Sequence, residues 1–358
     1  MLFAAHPDDE SLACGVVLQR AVRAGAKIRV IYVTDGENNP WPQRVLERRW
    51  RLTDGDRKRW GILRRTEAIA ALDVLGVDAR AALFLGLPDQ RLTELLKFNP
   101  GPVVEEISKV VNEWRPTDIF LPSILDIHPD HSALGILLQF RSNNRTVSEP
   151  TRWSYLIHGH SAAFHRDASS IGQTESERVT KLRAIGCHQT QVRLFGSRFW
   201  KHAVEAERFV KLDQQNAFQR GRSIVYASRN PELLSLKLER PLKLLPRSGT
   251  TALVVGYDQH SNLRCIKTDL PLSTSVLEIT DLTRGEKVDP GKYRGSSFSG
   301  DLEIPAGLFA PEQPLFIKIE RRGWFFDEAG WLELAPCAIA GAGVLSEDLS
   351  TPARRVAA

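Results

Sequence analysis

The chain has 358 residues, 42% of them hydrophobic and 25% charged, with a formal net charge of +5. That length is too great for one small core and suggests about two domains of ordinary globular composition. No stretch approaches the roughly 18 apolar residues of a membrane span, and the four cysteines (Cys14, Cys187, Cys265, Cys337) form no CxxC pair, which argues against a disulfide scaffold and a thiolate zinc site.

The strand "LFAA" is followed by an amphipathic helix, "SLACGVVLQRAVRAG", with Leu12, Val16, Val17 and Ala21 as its apolar stripe and Gly25 as a C-terminal stop. "KIRVIYVTDG" is a β-branched strand ending at Asp35-Gly36. Arg44 to Arg65 is strongly basic, with Trp50 and Trp60 interleaved. It reads either as a solvated helix pair whose Arg stems cover core or as an electropositive rim for an acidic glycan, nucleotide-sugar or phospholipid head. Then come the helix "RTEAIAALDVLGV", the strand "AALFLGLPD", the helix "VVEEISKVVNEW", the strand "DIFLPS", the helix "SALGILLQF", the strand "RWSYLIHG" and the helix "ESERVTKLRAIGCHQTQ". Such alternation predicts βαβ units and a mostly parallel, Rossmann-like sheet covered on both faces.

After about Pro231 helical periodicity ends. "TALVVGYD", "LRCIKTDL", "SVLEITDL", "DLEIPAGL", "LFIKIERRG" and "GWLELAP" are short strands between turn residues. They predict a small all-β sandwich or barrel over residues 231–340, accessory to the domain 1–230, with a loose polar tail at 341–358. Trp324, Phe325, Phe326 and Trp331 cluster late, as a packed aromatic core or as a sugar-stacking platform.

Two motifs carry the chemistry. "HPDDE" follows the first strand and "DIHPDH" follows "DIFLP", so both fall at strand ends where open α/β sheets bind ligands. His6, Asp9 and His131 can ligate one divalent cation with positions left for water, as in catalytic zinc sites. Asp8 remains as a base for the water, His128 as a donor on the opposite side, and Asp130 as a carboxylate orienting a ligating imidazole. Two imidazoles and a carboxylate also suit Fe(II).

These motifs resemble the LmbE/PIG-L family of zinc-dependent N-acetyl-sugar deacetylases, as do "VTDGE", "RRTEAIAALDVLGV", "LFLGLPDQRL" and "KLRAIGCHQTQV", over about residues 1–230. The resemblance implies His6, Asp9 and His131 as zinc ligands, Asp8 as general base and His128 as its electrostatic or acid partner. It also implies Arg65 and Asp89 as sugar contacts and His188 as a late histidine of variable role; Trp41 is the candidate apolar wall. The expected reaction frees acetate and an amine from a GlcNAc-type glycan, glycolipid or glycoconjugate, anionic carriers included. A metal amidase of a thiol-sugar conjugate and a non-catalytic glycan-binding protein are the alternatives. Neither a nucleic-acid partner nor a membrane span is expected. No signal peptide precedes "LFAAH", so a cytoplasmic location is expected, although the shortness of the first strand fits a trimmed N-terminus.

Overall fold

A computed structural model describes residues 1–140, 149–159, 162–212, 223–239, 249–296, 298–321, 325–327 and 330–337. Trp324 and the tail 341–358 lie outside the described residues. The chain divides into two compact units, the first Met1–Thr93 with Val104–Asp213, the second Glu94–Val103 with Gln214–Ala358.

The strands of the first unit are β1 (Leu2–Ala4), β2 (Val30–Thr34), β3 (Ala82–Leu87), β4 (Asp118–Pro122), β5 (Thr151–Tyr155), β6 (Ser169–Ile171) and β7 (Glu207–Leu212). They form one sheet in the order β3-β2-β1-β4-β5-β7-β6. The first five are parallel, and β7 joins antiparallel to β5 and β6. β1 and β2 are buried at every position, as strands covered on both faces must be, hence their unbroken apolar runs. Chain order reverses between β1 and β4, so the segments leaving these two neighbours flank the crevice where such sheets bind ligands.

Helices α1 (Asp9–Arg23), α2 (Pro40–Glu47), α3 (Asp54–Val74), α4 (Leu92–Phe98), α5 (Pro100–Trp114), α6 (Pro129–Gln139), α7 (Ala162–Asp167), α8 (Glu175–Ile185) and α9 (Gln189–Val204) make the connections. α6 begins where its sequence allows: His128 accepts from the Asp130 N–H as N-cap, and Pro129 takes the first turn, where no N–H is needed. Its Gly135 lies so near β4 that a Cβ would sit 2.6 Å from the Pro122 carbonyl oxygen. The run "ESERVTKLRAIGCHQTQ", expected as one helix, is two: α8 stops at Ile185 and α9 starts at Gln189, with His188 at the junction. Gly186, a poor helix former, sits at the break.

Thr174 and Glu177 form a capping box at the start of α8, and Glu177 also binds Arg20 and Arg23 of α1. This depresses the Glu177 carboxyl below its ordinary range, chiefly through the Arg20 hydrogen bonds. A depressed acid stabilises the fold above its unfolded pKa, and that contribution is lost as pH falls below about 4.5. Glu177→Ala should cost about 1 kcal/mol, a Tm drop of roughly 2–4 °C at pH 7, with the gap to wild type shrinking in acid. Thermal melts across pH check it; a gap that widens toward acid contradicts the assignment.

The second unit contains β8 (Ile224–Arg229), β9 (Leu233–Glu239), β10 (Thr250–Tyr257), β11 (Leu263–Leu270), β12 (Ser273–Asp281), β13 (Glu286–Ser296), β14 (Ser299–Pro305), β15 (Leu315–Arg321) and β16 (Trp331–Leu334). They make one antiparallel sheet ordered β16-β15-β10-β11-β12-β13-β14-β9-β8. Its two end strands share one apolar core, Ile224 and Leu332 included, so the sheet curls over itself. Trp331 is fully buried beneath Lys318, whereas Phe325 and Phe326 are half exposed. Lys97 belongs to this unit, its ammonium 2.8 Å from Glu320 and its carbonyl accepting from Thr283 Oγ1.

Candidate metal and hydrolytic site

The β1–α1 turn and the β4–α6 segment bring the two motifs together. His6 Nδ1 lies 3.1 Å from His131 Nε2, and Asp9 Oδ1 is 3.4 Å from that same nitrogen. The carboxylates behind the rings favour one tautomer of each. His6 Nε2 faces Asp89 Oδ1 at 3.1 Å and Asp130 Oδ2 at 3.3 Å, so it carries the proton and leaves Nδ1 bare. His131 Nδ1 faces Asp126 Oδ2 at 3.2 Å, leaving Nε2 bare. With those protons in place, His6 Nδ1, His131 Nε2 and an Asp9 oxygen converge on one spot, and this set of nitrogen and oxygen donors suits a divalent metal. The His128 ring lies close by: one ring nitrogen each of His6, His128 and His131 fall within 4.8 Å of one another.

The carboxylates behind the imidazoles are themselves fully engaged. Asp130 accepts from the backbone N–H groups of Gln90 (2.6 Å) and Leu92 (3.1 Å). Asp126 accepts from the N–H groups of His128, Ile157 and His158. Burial alone would raise the Asp126 carboxyl, but His131, His158 and these bonds bring it down to about 2. Asp89 accepts from Asn38 N at 2.7 Å, and despite burial its contacts with His6 hold it below the usual carboxylate range.

Asp8 sits on the other side of Asp9, with φ at +136°, a region that L-residues avoid and that costs of order 1–3 kcal/mol. Its N–H donates to Glu10 Oε2 at 3.0 Å, and Arg64 Nη2 donates to its Oδ2 at 2.8 Å. Burial pushes the Asp8 carboxyl up to about 6, with the Arg64 charge opposing and Asp9 adding. Arg64 also donates to the carbonyls of Pro7 and Gly36 at 2.7 Å each. Gly36 is required there: its φ is +63°, and a Cβ would lie 1.8 Å from Arg64 Nη1. Gly36→Ala should therefore displace Arg64 and lower both Tm and turnover, and an unchanged Tm would contradict the packing.

Behind Asp8, His188 Nε2 lies 2.8 Å from Glu10 Oε1, both side chains buried. Burial lowers the His188 pKa, but Glu10 more than reverses this and raises it. His188 is thus a partner of Glu10. Arg65 pairs with Asp35 at 2.6 Å over the Phe84 ring, and the residue that reaches the cluster is its neighbour Arg64. Trp41, on α2, is 56% exposed with the Arg44 guanidinium 5.5 Å above its ring. Arg64, Glu10, Asp126 and His158 were missed from sequence. For Arg64 a signal existed: Trp60, Arg64, Ala68 and Leu72 recur every four residues on the buried face of α3, whereas Arg65 falls beside it.

An imidazole–carboxylate cluster at the switch point of a mainly parallel α/β sheet places the first unit among α/β folds that do chemistry at their strand ends. Residues 1–139 match the PIG-L, GlcNAc-PI de-N-acetylase, family model. A 1D-myo-inositol 2-acetamido-2-deoxy-alpha-D-glucopyranoside deacetylase of Mycobacterium avium (strain 104) is 32% identical over 140 residues, covering 36% of this chain and 45% of the relative. Its Mycolicibacterium paratuberculosis counterpart is 31% identical with the same coverage. The chain thus spans less than half the length of these curated relatives. Among solved structures, an N,N'-diacetylchitobiose deacetylase from Pyrococcus horikoshii is 19% identical at a TM-score of 0.44, covering 59% of this chain and 82% of that one. A conserved protein of Thermus thermophilus is 22% identical at a TM-score of 0.42, covering 58% and 92%.

Proposed function

We propose that the first unit is a divalent-metal hydrolase that removes the acetyl group from an N-acetylated amino sugar, with zinc as the metal. The observation that carries the proposal is the donor set: His6 Nδ1, His131 Nε2 and Asp9 Oδ1 crowded together beside an Arg64-bound Asp8. The family match at residues 1–139 and the activity printed for the mycobacterial relatives support an acetamide on a glucosamine-type sugar.

His6, Asp9 and His131 would hold the metal, which when bound supplies Lewis-acid polarisation and a more acidic water. Asp130 and Asp89 keep the His6 proton on Nε2, and Asp126 does the same for His131 at Nδ1. Asp8 takes the water proton as the new C–O bond forms, and Arg64 aims its carboxylate. His128 Nδ1 accepts from the Asp130 N–H, so its proton lies on Nε2. Burial, with His6 next, holds its pKa well below the ordinary value, so at rest it is a neutral donor for the developing oxyanion. The C–N bond then breaks, the proton held by Asp8 passes to the leaving nitrogen, and acetate and a free amine remain. Asp89, engaged with His6 and Asn38, is a positioning residue in this scheme.

The test is acetate release from N-acetylglucosamine conjugates, with metal content measured on the same sample. About one divalent ion per chain and acetate production are expected, and His131→Ala should lose both. Stoichiometric zinc without acetate from any N-acetyl sugar, together with turnover of a thiol-conjugate amide, would replace the sugar reading by an amidase one.

A further inference from the structure

α2 is amphipathic the wrong way round for a helix that packs only on its own core. Its inner side carries Pro42 and Gln43, and Gln43, with no exposure, donates to the Asp56 carbonyl at 2.8 Å. Its outer side carries Trp41 and Val45 at i and i+4, and Arg48, the left-handed residue that caps it, is exposed as well. Trp41 is 56% exposed, Val45 51%, and Trp50, just past the helix, 77%. Globular helices turn such residues inward, and a cluster of exposed aromatic and branched side chains marks a contact surface.

The charge around this face identifies its occupant. Residues 44–59 hold seven basic and three acidic side chains. Glu47 and Asp56 are taken by Arg49 and Arg59, so these acids near the patch are already neutralised. Arg48 and Arg51 are exposed beside Trp50 and make no ion pair among the described residues. Aromatic and apolar side chains set among unpaired arginines fit the interface of an anionic bilayer, where rings seat at headgroup depth and each guanidinium near the surface is worth about 1 kcal/mol.

We propose that the outer face of α2 and the turn after it form a docking surface for an anionic membrane, with the protein lying on the lipid. None of the described helices is long and apolar enough to cross a bilayer, so contact at this face is peripheral. The experiment is co-sedimentation of the full chain with phosphatidylcholine vesicles, with and without about a third phosphatidylserine, at low and high salt. Binding is expected only to the anionic vesicles and should fade at high salt. Arg48→Gln with Arg51→Gln should weaken it roughly 30-fold, and Trp50→Ala with Val45→Ser roughly tenfold. All four positions are exposed, and a melting curve for each variant confirms folding. Equal binding to neutral vesicles, or none to either, overturns the proposal. So does concentration-dependent self-association abolished by Trp50→Ala, which would make the face a contact between copies. Salt-sensitive binding to heparin or DNA with vesicle binding indifferent to Trp50→Ala also overturns it, leaving only a generic polyanion patch.

Discussion

Replacing Asp8 by Asn is expected to leave the divalent-metal stoichiometry at its wild-type value and to lower turnover roughly 10²–10⁴-fold. Asn is the informative choice because of the backbone. Asp8 holds φ at +136°, and Asn, matching Asp in size and shape, adds no new bulk there while its side-chain oxygen can still accept from Arg64. The substitution therefore removes the proton acceptor and keeps the fold around it. Asp8→Ala would instead strand the Arg64 guanidinium and confound the two effects. Acetate release and bound metal are measured together across a zinc titration. Near wild-type turnover of Asp8→Asn at saturating zinc would take the base role from Asp8.

Much of this site was legible because its chemistry is local in sequence. "HPDDE" and "DIHPDH" each place their groups within six residues, and the apolar runs of β1 and β4 fix which sheet edge they leave from. What escaped depends on long-range pairing. The contact of Asp89 with His6 Nε2 spans 83 positions of the chain, and the β3-β2-β1 order brings the end of β3 to the end of β1. From sequence alone its neighbourhood suggested a sugar contact. His158 is brought to Asp126 only by the β4–β5 pairing. In the second unit, β13 was not seen because "EKVDPGKYRGS" contains Pro290 and two glycines. The structure accommodates Pro290 at a register shift opposite β12 between Leu277 and Ile279, while Gly291 pairs with Leu277 and Gly295 with Gly300 of β14. The place of Glu94–Val103 in that unit had no signal, since α4 and α5 continue the helix–strand alternation of the first.

The basic stretch shows the same limit. As sequence it is one positive run, but in the fold its guanidiniums serve different ends. Arg49 and Arg59 are spent on Asp56 and Glu47, Arg57 on Asn38, and Arg65 on Asp35, while Arg64 is buried against Asp8. Arg48 and Arg51 are exposed beside Trp50 and make no ion pair among the described residues.

Arg64→Met and Arg65→Met, adjacent on one helix, should differ by orders of magnitude. Arg64 is 4% exposed and donates to three acceptors at once, the Asp8 carboxylate and the carbonyls of Pro7 and Gly36. Met has similar length and no donor, so all three buried acceptors lose their partner. Breaking a buried pair by removing one charge costs about 3–5 kcal/mol, which in a unit of this size lowers Tm by roughly 6–20 °C. The Asp8 carboxylate, left beside Asp9 without its cation, is relieved by taking up a proton, and a protonated Asp8 cannot accept one from water. Turnover should therefore fall at least 10²-fold even in the folded fraction. Arg65→Met removes a partly exposed pair with Asp35 worth about 0–1 kcal/mol, so Tm and turnover should stay near wild type. Melting curves and acetate release on folded, zinc-loaded samples of both variants separate the cases. A larger loss of turnover for Arg65→Met than for Arg64→Met would return the functional role to Arg65 and make the Arg64–Asp8 pair purely structural.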